Sequence, residues 1–140
     1  MILETTFLID LEREIARREV GPAQAFLEAH ATQSLFITPT IAGELAAGAS
    51  LDDRSRWEEF VAPFQVLPCT RDVCWEYGRA YRYLQENGAL IGSNDLWIAA
   101  TALAHEVSVV TRNVKHYRRV PGLRVAEYVS ARAPGQPHGT

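Results

Sequence analysis

The sequence has few of the features that mark a secreted, zinc-binding or disulfide-rich protein. Cys69 and Cys74 are its only cysteines, and no second Cys or His pair lies near them, which matches neither a zinc-ribbon spacing nor a disulfide framework. We expect two reduced and largely buried thiols. The four histidines form no HExxH or HxH group, so a structural zinc is not expected.

Long hydrophobic runs are also missing. The longest nearly apolar stretch, residues 96–104, is interrupted by Thr101 and is far shorter than the ~20 residues of a membrane helix. The opening MILE lacks the basic region and small-residue cleavage site of a secretory signal. We therefore expect a soluble, cytoplasmic protein that does not contact a membrane.

The chain carries little excess charge. Its formal charge of −3 and pI near 5.8 exclude a basic nucleic-acid coat, so any polyanion must bind to a local patch. Its 140 residues, 47% of them hydrophobic, suffice for one domain with a buried core. No repeat or linker divides residues 1–128, and the turn-forming tail 129–140 is expected to be a frayed end.

Short apolar strands alternate with amphipathic helices along the chain. Strands are expected at residues 2–5, 35–38, 64–67, 107–111 and 123–126. The predicted helix N-caps are Thr6, Thr38, Thr70 and either Ser93 or Asn94. The alternation predicts an α/β fold with a parallel sheet covered on both faces, and such sheets place their sites beyond the carboxyl ends of the strands.

Four polar residues occupy unusual positions in this pattern. Glu4 lies within the first predicted strand, Glu44 lies in the apolar stripe of a helix, and Asp95 opens a helix. Taken singly, Glu4 can be an exposed strand end, Glu44 can bend out to solvent, and Asp95 can serve as a cap. Asn113 follows the strand 107–111, where a turn or cap residue is the alternative.

Taken together, these residues predict a metal site, because most of them follow a strand end or open a helix at one edge of the sheet. Two carboxylates 4 Å apart repel by about 4 kcal/mol at an effective dielectric of about 20, so such a cluster needs a cation. Oxygen ligands favour Mg²⁺ or Mn²⁺ over zinc. Such ions activate water and orient a phosphodiester.

Four stretches of the chain resemble the PIN domain and, within it, the VapC-type toxins of bacterial toxin–antitoxin pairs. They are LETTFLIDL (3–11), ITPTIAGELAAG (37–48), IGSNDLWIAATALAHEVSVVTRN (91–113) and HYRRVPGLRV (116–125). The resemblance covers nearly the whole chain, and the last two stretches in combination are the most specific. It implies an α/β/α sandwich with a central parallel sheet.

The resemblance also assigns the site. The metal-binding acids of the family fall on Glu4, Glu44, Asp95 and Asn113, and the small polar residue that supports the first acid falls on Thr6. Two positions depart from the pattern, because the first acid is usually Asp and the fourth is an acid in many members. The longer Glu4 is expected to displace the cation or to recruit Asp10, whose alternative is a solvated helix residue. The neutral Asn113 argues against tight binding of a second ion.

Basic residues near the site predict contacts with RNA. One group follows the strand 107–111 and consists of Arg112, Lys115 and Arg118, with His116 and Arg119. A second group lies on the first predicted helix, after Glu4, and consists of Arg13, Arg17 and Arg18. Both groups can hold phosphates over the cation. The alternative is a solvated basic loop and helix face.

The resemblance implies an endoribonuclease that uses Mg²⁺ or Mn²⁺, forms a homodimer and pairs with an antitoxin whose tail covers the site. The helix with Trp75, Tyr81 and Tyr83 is the expected dimer surface unless these side chains are core. One alternative is a non-catalytic PIN-like module that binds RNA or protein. A phosphatase is disfavoured, because the chain has no early DxD pair and no phosphate-cradling glycine loop.

Overall fold

The computed structural model of the protein describes residues 1–128. The expected division into a domain of residues 1–128 and a frayed tail stays a prediction, because residues 129–140 lie outside the described part. In chain order the elements are β1 (Ile2–Leu3), α1 (Thr5–Arg17), α2 (Pro22–Ala29), β2 (Phe36–Ile37), α3 (Pro39–Ala47), a 3₁₀ turn (Ala49–Leu51), α4 (Arg54–Val61), β3 (Gln65–Val66), α5 (Arg71–Glu86), α6 (Ser93–His105), β4 (Val109–Thr111), α7 (Val114–Tyr117) and β5 (Val125–Glu127).

The five strands form one parallel sheet in the order β3-β2-β1-β4-β5. The first strand lies at its centre, where Ile2 pairs with Phe36 of β2 and with Val109 of β4. Because every pairing is parallel, all the strands end at the same edge. The predicted α/β/α sandwich is confirmed, and its geometry brings the segments that follow β1 and β4 side by side.

Helices cover both faces of this sheet, so the central strands are wholly buried. Both residues of β1, and Val109 and Val110 of β4, are fully inaccessible to solvent. The most apolar stretch, within α6, contributes Leu96 and Ile98 to the same core. In the part of the chain that the structure describes, no helix has the length and hydropathy needed to cross a membrane.

The element boundaries correct two of the predicted caps. The first strand ends at Leu3, so Glu4 is the N-cap of α1 and Thr6 is not. Likewise α6 begins at Ser93 with Gly92 as its cap, so neither Ser93 nor Asn94 has that role. Glutamate is not among the usual N-cap residues, which is why the composition favoured Thr6, but the Glu4 side chain accepts the backbone N–H of Thr6 here.

The other two predicted caps are confirmed. Thr38 accepts a hydrogen bond from the backbone N–H of Ile41, and Thr70 accepts one from that of Val73. Thr38 fixes the start of α3, the helix that carries Glu44. The local hydroxyl signal therefore predicted two of the four helix starts correctly.

The prediction of buried cysteines is wrong. Cys69 and Cys74 are free thiols, and both are exposed. Cys69 lies just before Thr70, the N-cap of α5, and Cys74 lies in the first turn of that helix, whose buried face is formed by Val73, Ala80 and Leu84. Cysteine is usually buried, but here its position relative to the apolar stripe decides its exposure.

Candidate active site

Glu4 is held where β1 ends and α1 begins. It is only 3% exposed, and its Oε2 atom accepts three hydrogen bonds. The backbone N–H and the hydroxyl of Thr6 donate two of them, at 3.1 and 2.6 Å, and the hydroxyl of Thr111 donates the third at 2.7 Å. Thr111 is the last residue of β4, so the ends of two neighbouring strands fix one carboxylate.

The second oxygen of Glu4 accepts no hydrogen bond from the described residues. Every fully buried side-chain oxygen among residues 1–128 has a partner, so Oε1 must reach solvent. Burial raises the pKa of Glu4, the hydrogen bonds from Thr6 and Thr111 oppose that shift, and the negative charge of Asp95 adds to it. Glu4 is therefore a carboxylate that is costly to ionise and has one oxygen available to a ligand.

Glu44 is bound to the first turn of α1. Its Oε1 atom accepts a hydrogen bond from the hydroxyl of Thr5 at 2.8 Å, and the side chain is half-buried. It does not bend out to solvent, which was the alternative for an acid in an apolar stripe. Since Thr5 follows Glu4 directly, this bond brings the second acid to the same helix start.

Asp95 lies in the first turn of α6, where the helix dipole favours a negative charge. Its side chain is half-buried and contacts the short helix α7. The phenol of Tyr117 donates to Oδ1 at 3.2 Å, and Nδ1 of His116 lies 3.5 Å from Oδ2. The Asp95 carboxylate thus links the first turn of α6 to the end of α7.

Asn113 is the N-cap residue of α7, but its side chain makes no capping hydrogen bond. Its Nδ2 atom lies 2.8 Å from Nδ1 of His116, and its backbone N–H donates to the hydroxyl of Thr111 at 2.9 Å. Asn113 is therefore linked to Glu4 through Thr111, and His116 lies between Asn113 and Asp95, where its Nδ1 atom either accepts from the Asn113 amide or donates to Asp95. The structure places all four predicted residues in one connected network.

The pKa of the Tyr117 phenol indicates that the acids lie near one another. This side chain is fully buried, and burial raises the pKa of its phenol far above the usual range. The charges of Glu4 and Asp95 raise it further, and Glu44 makes a smaller contribution. One phenol is therefore close enough to feel three acids that are distant in sequence.

The donors suit a hard divalent cation. Within residues 1–128, no group of three Asp, Glu, His or Cys side chains is close enough together to hold a metal ion by itself. Mg²⁺ does not require one, because it usually keeps several waters and binds through one or two carboxylates. The available donors are carboxylate and amide oxygens, which match Mg²⁺ or Mn²⁺ better than zinc. Their assignment as ligands stays a prediction.

Asp10 is neither a solvated helix residue nor an available helper for Glu4. Its carboxyl group is 14% exposed. One oxygen accepts a hydrogen bond from Arg112 at 3.1 Å, and the other accepts one from the phenol of Tyr128 at 2.6 Å. Because both oxygens are engaged, the structure argues against a role for Asp10 in metal binding.

The predicted RNA-binding residues separate into two groups. Arg13, Arg17 and Arg112 line one pocket of about 380 Å³ beside α1, together with the acids Asp10, Glu14 and Glu19. Lys115 and Arg118 are exposed and lie outside that pocket, and Arg118 is 3.9 Å from Glu127. The backbone N–H of Arg112 donates to the hydroxyl of Thr6, so the pocket adjoins the network around Glu4.

Sequence reasoning missed three residues of this network. Thr5 and Thr111 hold the acids by hydrogen bonds, and Tyr117 lies among them. A signal for the threonines existed, because each is the last residue of a predicted strand and carries a hydroxyl group. Tyr117 had no such signal, since a single tyrosine among basic residues is equally compatible with a core position.

We predict that Glu4→Gln changes the pH dependence of stability without added metal. The raised pKa means that the folded state binds the proton of Glu4 more tightly than the unfolded state does. The stability of the wild type should therefore fall as the pH rises from the ordinary value of 4.5 through the folded-state pKa. Glutamine has no such proton, so the stability of the variant relative to the wild type should increase from pH 4 to pH 8.

Urea unfolding in EDTA at several pH values measures this difference. Glu28→Gln, at an exposed position on α2, is the matched control and should show a flat difference. A Glu4→Gln difference that is flat or decreases with pH contradicts the expected cost of burying this carboxylate.

Comparisons with known proteins identify the family of the chain. The PIN domain family model matches residues 1–123. Ribonuclease VapC1 of Rickettsia felis is 30% identical over 133 residues, which cover 89% of this chain and 93% of the relative. VapBC-1 from nontypeable Haemophilus influenzae superposes with a TM-score of 0.74 at 26% identity, covering 90% of this chain and 96% of that chain.

VapBC2 from Rickettsia felis, bound to a DNA fragment from its promoter, has the same fold. It superposes with a TM-score of 0.77 at 23% identity and covers 91% of this chain and 98% of that chain. The chain therefore belongs to the PIN domain family and, within it, to the VapC ribonucleases.

Proposed function

We propose that this protein is a metal-dependent endoribonuclease that hydrolyses RNA phosphodiesters with Mg²⁺ or Mn²⁺ and acts as the toxin of a toxin–antitoxin pair. The observation that carries this proposal is the convergence of Glu4, Glu44 and Asp95 around the buried Tyr117. Membership of the family supports the class of reaction. A cytoplasmic location, expected from the sequence, stays a prediction.

Each residue of the network has a distinct task in this proposal. Glu4 presents Oε1 while Thr6 and Thr111 fix its other oxygen. Glu44 and Asp95 supply further carboxylates, and Asn113 adds a neutral amide that binds the ion or orients water. A bound divalent cation supplies Lewis-acid chemistry to the phosphodiester. The hydrogen bonds hold the donors in place before the substrate arrives.

The pocket of Arg13, Arg17 and Arg112 is the proposed contact for RNA phosphates. Arg13 and Arg17 are exposed and form no ion pair within residues 1–128. Arg112 is held by Asp10 and lies next to Thr6, which connects the pocket to the acids. Lys115 and Arg118 are proposed to contact the RNA on the side of α7.

An apolar groove of about 530 Å³ between α1, α2 and α4 is the proposed seat of the antitoxin. It is lined mainly by apolar side chains, and Ile15 at its margin is 54% exposed. Glu12 and Leu51 line both this groove and an adjoining pocket of about 390 Å³ that reaches Glu44. The similar structures are VapBC complexes, which supports an antitoxin partner. The apolar lining of the groove is the reason for placing an apolar antitoxin segment here, with its tail over the acids.

A homodimer is proposed through α5. Trp75, Tyr81 and Tyr83 are exposed by 64%, 38% and 47%, so the alternative that they are core is wrong. Trp75 and Tyr83 lie about 80° apart around the helix, while Tyr81 lies on the other flank. The guanidinium of Arg82 lies 5.7 Å from the ring centroid of Trp75. Aromatic residues of this kind are enriched in protein interfaces.

We predict that Asp95→Asn lowers RNA cleavage on the order of 100-fold and weakens Mn²⁺ binding, because it removes a charged oxygen donor while keeping the size of the side chain. Cleavage of structured RNA with Mg²⁺ or Mn²⁺ and calorimetric titration with Mn²⁺ measure the two effects. Asp72→Asn, an exposed acid in the first turn of α5, is the matched control and should leave both unchanged.

Cleavage that is unaffected by Asp95→Asn contradicts the assignment of Asp95. A wild-type protein that binds RNA but shows no carboxylate-dependent Mn²⁺ binding supports the alternative of a non-catalytic binding module. Activity on small phosphoesters without RNA cleavage would instead support a phosphatase.

We predict that Arg13→Ala with Arg17→Ala weakens RNA binding and its salt dependence. Each phosphate neutralised on single-stranded RNA contributes about −0.7 to the slope of log K against log salt, so the double variant should have a slope less steep by about 1.4. Fluorescence anisotropy in the Asp95→Asn background measures binding without cleavage. Arg54→Ala with Arg71→Ala is the control, and an equal effect of both pairs contradicts a local phosphate site.

We predict that Trp75→Ser with Tyr83→Ser dissociates the dimer, because both rings are exposed in one chain and need a partner to leave water. Light scattering at micromolar concentration should give twice the monomer mass for the wild type and the monomer mass for the variant. Leu90→Ser, at an exposed apolar residue outside α5, is the control. A wild-type monomer contradicts the proposal.

A further inference from the structure

The short helix α7 carries a tyrosine whose polar end is buried among acids. Tyr117 is fully inaccessible to solvent, and its hydroxyl donates to Oδ1 of Asp95 at 3.2 Å. Within the described residues, Asp95 is the one hydrogen-bond partner of the Tyr117 hydroxyl. A buried phenol needs a partner, so this contact is required by burial as well as allowed by geometry.

Without this contact, the Asp95 carboxylate could accept hydrogen bonds at the start of its own helix. It lies in the first turn of α6, where unpaired backbone N–H groups attract carboxylates, and Gly92 provides no side-chain cap. Yet the Asp95 carboxylate accepts from α7 and not from the helix start. Both oxygens lie near α7, but among the described residues only Oδ1 accepts a hydrogen bond from it, while Oδ2 lies 3.5 Å from Nδ1 of His116.

The hydroxyl of Tyr117 is a donor that stays neutral. A phenol has an ordinary pKa of about 10, and this one donates its proton to a carboxylate, so it is a neutral donor at neutral pH. A neutral donor holds a carboxylate in one orientation without cancelling its charge. A lysine or arginine in the same place would compete with a cation for that charge.

We propose that Tyr117 is a positioning residue for the cation site, and that its hydroxyl fixes the Asp95 carboxylate in the orientation that binds the divalent ion. This inference rests on the proposed metal-dependent function. The inference concerns only the hydroxyl group of Tyr117, because a phenylalanine would fill the same space in the core without donating a hydrogen bond to Asp95.

The test is Tyr117→Phe, measured first by calorimetric titration with Mn²⁺. Partners that orient metal ligands typically account for 10- to 100-fold in metal affinity, so we expect the Kd for Mn²⁺ to rise by about that factor. The kcat for RNA cleavage should fall while the KM for RNA stays the same. A merely structural role would lower the unfolding midpoint in EDTA and leave the Mn²⁺ Kd of the folded protein unchanged.

Tyr128→Phe is a closely matched control. Tyr128 is also buried, and its hydroxyl also donates to a carboxylate, at 2.6 Å from Oδ2 of Asp10. This variant should change stability and leave Mn²⁺ affinity as in the wild type. Equal losses of Mn²⁺ affinity in the two variants overturn the inference, because they would reflect a general loss of packing.

The near-ultraviolet absorbance of tyrosine gives a second measurement that does not depend on how Tyr117→Phe folds. A cation that binds beside Asp95 changes the field at Tyr117, so Mn²⁺ should perturb tyrosine absorbance in the wild type and in Tyr128→Phe. A wild type that binds Mn²⁺ without this signal, or a Tyr117→Phe variant with unchanged Mn²⁺ affinity, overturns this inference alone. A wild type that binds no Mn²⁺ overturns the proposed function as well.

Discussion

The structure of the site depends on one buried carboxylate and the two hydroxyl groups that hold it. Glu4 directly follows the central strand, and Thr111 ends the neighbouring one, so their 2.7 Å hydrogen bond joins the two strand ends through side chains. Thr6 completes the clamp from the first turn of α1. With one oxygen of Glu4 fixed in this way, the direction of the other oxygen is set by the backbone of the sheet.

The same arrangement is electrostatically expensive. Burial raises the pKa of Glu4, and the charge of Asp95 raises it further. The hydrogen bonds from the threonines offset part of this cost but add no positive charge, and Tyr117 donates a hydrogen bond while remaining neutral. A site built from acids and neutral donors keeps its affinity for an external cation, which a nearby lysine or arginine would reduce.

Periodicity predicted the fold from the sequence, because alternating strands and helices leave few arrangements other than a covered parallel sheet. The positions of Glu4 and Asp95 at a strand end and a helix start, and of Glu44 in the apolar stripe of a helix, indicated that they would meet. Contacts between side chains distant in sequence were not predictable. The pairing of Asp10 with Arg112 and the hydrogen bond between Tyr117 and Asp95 depend on how α7 packs, and the exposure of the cysteines depends on the rotation of α5.

The contact between Glu4 and Thr111 spans 107 positions of the chain, and Tyr117 lies further still toward the carboxyl terminus. During translation, a ribosome therefore releases the first acid long before the strand that orients it. The growing chain has no complete acid cluster until β4 and α7 have emerged and joined the sheet. The acid cluster therefore forms only late in synthesis of the chain. A fragment that ends before β4 lacks the hydrogen bond from Thr111 to Glu4.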